Sequence, residues 1–334
     1  MIKFKKIIRF TILSALLVFF LYLAFRGIDL NELLFQLRNS NYIWAITGML
    51  IGTVFGSYLR ALRWRYLLNP MKRNIGISNL FSAVMIGYMM NALIPRSGEV
   101  SRPVLLAKKE NISKGFAFGT IVVERIFDML SMFIFFGICL FYFRQKLSEA
   151  FGEYNFEGIS LYFSVAILLF VVVIIIMLFN LEKTELIVEK ITKKILPERF
   201  QEKIHKSFIS LISGFLFIKN PKSYFPIFSL SLLIWLSYAT STYLTFFAFN
   251  IHLNFFDANL ILTLMSFAMT LPLPGNSAGT FHFFTKTALV SIYGINAEVA
   301  LGYATVSHLL GLVGLLIIGF YFSMKENYKF NTGL

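Results

Sequence analysis

Cysteine is nearly missing from this sequence. Cys139 stands alone inside an apolar run, which excludes an intrachain disulfide framework and a cysteine-ligated metal site. Histidine is also scarce: His205, His252, His282 and His308 follow no metal-ligand spacing, so no metal is expected. No glycine-rich nucleotide-binding motif is present, no low-complexity segment occurs, and no cofactor is expected. Acidic residues number 17 against 31 lysines and arginines, a net charge of +14. Such an excess suggests nucleic acid when it gathers into one patch. Here it is spread over the stretches between apolar runs, where retention of loops in the cytoplasm explains it better, and no nucleic-acid partner is expected. What the 334 residues do contain is apolar bulk, 57% of the chain, beyond the usual share for a soluble domain. The composition is that of an integral membrane protein.

The basic start, Lys3, Lys5, Lys6 and Arg9, precedes an apolar stretch with no small-residue cleavage site, so it reads as a first retained helix. A span needs about 20 apolar residues. Ile7–Phe25, Tyr42–Leu59, Gly115–Phe143, Leu161–Phe179, Tyr224–Phe249 and Ala297–Phe322 meet that requirement. Ile77–Ile94 and Asn259–Leu273 are marginal and end in proline and glycine. The expected fold is therefore an all-α polytopic membrane protein with about six full transmembrane helices and two re-entrant hairpins.

With the N-terminus inside, Arg60, Arg63, Arg65, Lys72 and Arg73, the segment Arg96–Lys114, the segment Leu181–Ser223 and the tail all fall on the cytoplasmic side. Cations outnumber carboxylates in each, and both termini are expected in the cytoplasm of a multi-pass cell-membrane protein. Making Ile77–Ile94 a full span would move the basic Arg96–Lys114 segment outside. The hairpins then enter from opposite faces, an inverted repeat. The chain reads as one membrane domain over residues 1–334: a first half at 1–143, a span and amphipathic cytoplasmic linker at 144–223, and the rest of the second half at 224–334.

Chemistry is expected at the two breaks. In the first, Pro95 and Gly98 interrupt the helix beside Asn91, while Arg96, Glu99 and Arg102 bring charge where burial in a bilayer is costly. Ser97 is a candidate N-cap for a returning half-helix, whose N-terminus beside Arg96 makes an anion site. Arg102, three residues after Glu99, either pairs with it or is held by it for a ligand phosphate. Alternatively the stretch is a cytoplasmic loop capped by ordinary ion pairs. Glu124, Arg125 and Asp128 interrupt an apolar helix, where such groups face a cavity or pair with one another, with Arg96 or with Arg102. In the second break, Pro272, Pro274, Gly275 and Gly279 let the backbone turn, and Asn276, Ser277 and Thr280 offer polar partners. His282 and Lys286 share one helical face and are candidates for holding a phosphate or relaying a proton; for Lys286 the alternative is snorkelling to the outer interface. His308 reads as a helix-to-helix hydrogen-bond partner.

These motifs carry a resemblance. Asn91-Ala-Leu-Ile-Pro-Arg-Ser-Gly-Glu99 with Arg102, Val123-Glu-Arg-Ile-Phe-Asp128, and Pro272-Leu-Pro-Gly275 with Gly279-Thr-Phe-His282 resemble the membrane portion of lysylphosphatidylglycerol synthases. That flippase-like family is also related to membrane regions of some archaeal glycosyltransferases. Members commonly have a glycine doublet and then a glutamate at the second break. This chain has Asn276-Ser277 and, near the acid's place, His282. The soluble aminoacyl-transferring domain of the two-domain synthases is absent from this sequence, so lysine transfer by this polypeptide alone is not expected.

The resemblance and the broken segments together imply a lipid translocase. Its site would bind the phosphate of an anionic phospholipid or a polyprenyl-phosphate-linked lipid through Arg96, Arg102, His282 and Lys286. Asn91, Ser97, Glu99, Glu124, Arg125 and Asp128 would form the supporting network. Two alternatives stand beside it: a membrane-embedded head-group transferase or hydrolase using Glu99, Glu124, Asp128 or His282 as acid or base, and a non-catalytic partner of an enzyme of lipid or glycan synthesis. No catalytic residue is assigned.

Overall fold

The computed structural model describes residues 2–152 and 214–327 apart from Pro272, together with scattered positions between 158 and 190. The predicted span Leu161–Phe179 and the amphipathic linker Leu181–Ser223 therefore lie largely outside the described residues, as does Pro272 among the break residues. Every regular element among the described residues is helical.

Helix α1 (Ile2–Phe25) ends in a turn at Gly27, whose φ of 75° suits glycine, and α2 (Leu30–Asn39) leaves it at 86°. Asp29 starts α2 by accepting the N–H groups of Asn31 and Glu32. Helix α3 runs without interruption over Tyr42–Leu68, with one π-helical stretch at Leu50–Phe55. A broken pair follows, α4 (Ile77–Leu93) and α5 (Gly98–Glu110), then the long α6 (Lys114–Tyr142) and the short α7 (Arg144–Phe151). After the gap come α8 (Tyr224–Ala248), a second broken pair of α9 (Phe255–Ala268) and α10 (Pro274–Tyr293), and α11 (Ala297–Lys325). Asn254 and Asp257 close a capping box on α9, and Asn296 caps α11.

Three helices among the described residues, Tyr42–Leu68, Pro221–Ala248 and Ala297–Lys325, are long and apolar enough to cross a membrane, and the bent α1–α2 pair raises the number to four. Helix α6 has the length, 29 residues, but contains Glu124, Arg125 and Asp128. The two marginal segments are short apolar helices, as their proline and glycine ends lead one to expect. One expected boundary is corrected. The second span does not stop at Leu59 with Arg60 and Arg63 in a loop; its helix continues to Leu68, and both arginines are buried, at 5% and 0% exposure. The reason is local and electrostatic: no breaker occurs before Asn69-Pro70, and carboxylates on α6 pair with the two cations.

Small residues set how closely the helices approach. Gly48, Gly52 and Gly56 form one stripe along α3 and lie against Ser241, Thr245 and Ser237 of α8. A Cβ added at Gly52 would stand 2.7 Å from Ser241 Cβ, and one at Gly48 2.8 Å from the Ser241 carbonyl oxygen. Such a stripe lets backbones approach within a membrane, where van der Waals packing replaces the hydrophobic effect as the force between helices. The two helices are antiparallel, since the Asn41 N–H at the head of α3 reaches the Ala248 carbonyl at the end of α8 at 2.9 Å.

The first broken pair folds back on itself. Asn79 Nδ2 near the start of α4 donates to Glu110 Oε1 at the end of α5 (2.6 Å), and Gly98 is packed onto the Gly87 carbonyl with no room for a side chain. Helices α9 and α10 make the second folded pair, and α11 lies against both α4 and α10. The two breaks are thereby brought to one place.

Candidate functional site

The break between α4 and α5 is Ile94-Pro95-Arg96-Ser97. Arg96 takes a left-handed conformation, φ 64°, which costs a non-glycine residue about 1–2 kcal/mol. Ser97 does not cap α5 through its side chain; its Oγ donates to the carbonyls of Met90 (2.7 Å) and Ile94 (2.8 Å). Asn91 does the work expected of Ser97, accepting the Gly98 N–H at 2.7 Å. At the second break Gly275, Asn276 and Ser277 are all left-handed, with φ of 65°, 55° and 61°. Ser277 Oγ donates to the Leu271 carbonyl (2.5 Å), and a His308 ring nitrogen lies 3.1 Å from the Asn276 carbonyl oxygen, so partners from α11 and from the turn itself hold the unwound backbone.

Both breaks border one open cleft of about 750 Å³. Asn91, Pro95, Arg96 and Glu99 come from the first, and Thr270, Leu273, Asn276 and Ser277 from the second. One part of the lining is charged, with Arg60, Arg96, Glu99, Arg125 and Asp128. Another is apolar: Met129, Met132, Phe133, Trp235, Phe267 and Met269.

Behind the charged wall lies an ion cluster assembled from three helices. Glu124, with a side chain at 0% exposure, accepts Arg60 Nη1 at 2.8 Å and both terminal nitrogens of Arg102 at 2.9 and 3.0 Å. Asp128 accepts Arg60 Nη1 at 2.5 Å and Arg63 Nη2 at 2.7 Å. Arg125 lies 3.5 Å from Glu124 and 3.6 Å from Asp128. Further partners fix the guanidiniums: Ser231 Oγ at 3.0 Å from Arg63, Tyr238 OH at 3.3 Å from Arg60, and the Trp64 ring with its centroid 3.9 Å from Arg102 Cζ. The Trp64 indole N–H donates to Thr120 Oγ1 at 2.9 Å, which holds the ring flat for Arg102.

The predicted residues thus divide. Asn91, Arg96, Glu99, Arg125 and Asp128 meet at the cleft. Arg102, read either as the partner of Glu99 or as a partner of the α6 charges, is 3% exposed and takes the second role, engaging Glu124 at the α3–α5–α6 junction. His282 and Lys286 do not line the cleft. His282 is buried against His308, ring centroids 5.3 Å apart, with its Nδ1 on the Ala278 carbonyl. Lys286 Nζ donates to the carbonyls of Leu23 (3.2 Å) and Ala24 (2.6 Å), satisfying two free acceptors at the end of α1. Arg60 and Arg63 were missed as site residues. The signal for them was present: two arginines one helical turn apart, next to Trp64, with no helix breaker before Asn69-Pro70.

Broken helices around a part-charged, part-apolar cleft, in a chain of long apolar helices, define a class: polytopic α-helical membrane proteins. The family described as the lysylphosphatidylglycerol synthase TM region matches residues 7–319, and the chain belongs to it. A curated relative from Methanocaldococcus jannaschii, described as UPF0104 membrane protein MJ1595, is 30% identical over 136 residues, 40% of each chain. The match thus spans less than half the length of that relative. No solved structure matches the chain.

Proposed function

We propose that the cleft is the head-group site of a lipid translocase in the cell membrane. The observation that carries the reading is that the two breaks share one cleft with a cationic part and an apolar part, which suits the phosphate and the chain of one anionic lipid. Arg96 and Arg125 would touch the phosphate, with Arg60 behind them, while Met129, Met132 and Phe133 would take the first methylenes of the tail. Arg102 would act through Glu124. Half-helix ends directed at a site between folded pairs are how many transporters hold charged substrates at mid-membrane. The pairs α4–α5 and α9–α10 would then be re-entrant hairpins entering from opposite faces, with both chain termini in the cytoplasm. Charged residues inside a membrane protein ordinarily face such a cavity.

The test is movement of fluorescent anionic phospholipid and labelled polyprenyl phosphate between leaflets of proteoliposomes. Wild type should move at least one of them unaltered, and folded Arg96→Ala should lose most of that rate. A lipid chemically changed by the purified protein would instead favour a head-group transferase, and no movement of either lipid would count against translocation.

A further inference from the structure

The cluster behind the cleft is not electrically balanced. Arg60, Arg63, Arg102 and Arg125 surround only Glu124 and Asp128, and no other carboxylate joins them among the described residues. Arginine does not shed its proton to relieve the excess. At the rim, Arg96 and Glu99 bring one charge of each sign and enter no ion pair among the described residues, so the surplus of two positive charges stands. Arg60 also lines the cleft. Surplus charge in a low-dielectric site is costly, and Arg60 and Arg125 present it at the cleft wall, so a ligand that brings negative charge there is favoured.

We infer that the cleft selects a head group carrying two negative charges, a phosphomonoester or a diphosphate, over a phosphodiester carrying one. This rests on the head-group reading of the cleft and narrows it. A phosphodiester lipid would leave one guanidinium charge uncompensated. A phosphomonoester above its second ionisation, near pH 6, supplies two charges and three acceptor oxygens in the planar forks that arginine offers.

The measurement is binding to the full-length protein in detergent, by ligand-induced thermal shift and by native mass spectrometry. The probes are dioctanoyl phosphatidic acid, dioctanoyl phosphatidylglycerol, glycerol 3-phosphate and inorganic pyrophosphate. The monoester lipid should bind at least about tenfold more tightly than the diester, a difference of about 1.4 kcal/mol. That preference should grow between about pH 5.5 and 8, as the second phosphate proton leaves. The protein groups that face the phosphate are Arg60, Arg96, Glu99, Arg125, Asp128 and Tyr238. The diester lipid, which has no second phosphate proton, is measured at each pH as the control for any contribution from them. Arg96→Ala and Arg125→Gln, both at partly exposed side chains, should reduce the preference while the protein stays folded.

Equal affinity for the two lipids at pH 8 would overturn the charge selection and leave the head-group site standing. Binding of neither lipid would overturn both. Tight binding of pyrophosphate or glycerol 3-phosphate without lipid preference would keep the two-charge chemistry but move its source from a lipid to a soluble phosphate, which overturns the lipid assignment.

Discussion

Replacing Glu124 by glutamine keeps its shape and removes its charge. In the native cluster its carboxylate accepts Arg60 at 2.8 Å and Arg102 at 2.9 and 3.0 Å, and its side chain is wholly buried. After Glu124→Gln only Asp128 opposes four guanidiniums, and the amide nitrogen turns a donor toward groups that are themselves donors. Breaking a buried charge pair by altering one partner costs about 3–5 kcal/mol. The remaining amide oxygen still accepts one arginine, so the lower end, about 3 kcal/mol, is expected. Unfolding in detergent is rarely reversible, so the assay compares apparent midpoints of thermal unfolding at one scan rate. The midpoint should fall clearly below both wild type and Glu99→Gln, because Glu99, half-buried at the cleft, makes no ion pair among the described residues for its substitution to break. In the double variant Glu124→Gln/Arg102→Leu, removing one surplus guanidinium should recover part of the loss, so the two effects will not add. Equal midpoints for Glu124→Gln and Glu99→Gln would refute the argument that this cluster organises the helices around the cleft.

Three further outcomes follow from the packing and the end contacts. Gly52→Leu should weaken the α3–α8 contact, since even a Cβ stands 2.7 Å from Ser241; a cysteine pair at Trp44 and Phe247, whose rings lie 5.3 Å apart, reports that contact by oxidative cross-linking and should then form more slowly. Lys286→Met should free the two α1 carbonyls and cost about 1.5–3 kcal/mol, the usual range for hydrogen bonds to a charged group, read as faster proteolysis near Arg26. Glu110, outside the candidate spans, is governed by opposing effects: burial alone would raise its pKa, but hydrogen bonds from Lys72 and Asn79 and the charges of Lys72 and Lys109 prevail and hold it below the usual glutamate range. A folded-state pKa below the unfolded one contributes stability above the unfolded value, about 4.3, and loses it as the pH falls toward the folded value. Wild type should therefore lose more stability than Glu110→Gln on acidification through that window.

Much of this arrangement was readable before the structure, and what was missed has physical causes. Proline, glycine and serine mark both breaks because only such residues let a backbone turn amid apolar helices, and both breaks do border one cleft. Glu124 and Asp128 were legible as inward-facing charges. Their partners on α3 were not, because an arginine just after an apolar stretch looks the same whether it enters water or meets a carboxylate on another helix. For Arg102 the spacing left two partners open, Glu99 and the α6 acids. A carboxylate with no access to water attracts guanidinium more strongly than one at the cleft, and Arg102 engages Glu124. His282 and Lys286 share a helix face in sequence, yet α11 takes one and α1 the other. The stripe of Gly48, Gly52 and Gly56 was the plainest unused signal, at the spacing that brings two helices into backbone contact.

The central claim is that a lipid head group sits between the two breaks. Photo-crosslinking tests it most directly, using an anionic lipid with a diazirine beside its phosphate and mapping adducts by mass spectrometry on protein in native-lipid nanodiscs. Adducts should gather on the peptides containing Met129, Met132 and Asn276, diminish with excess unlabelled lipid, and largely disappear in Arg96→Ala. Adducts confined to the outer groove on α1 around Ser14 and Val18, unchanged by that substitution, would contradict the account.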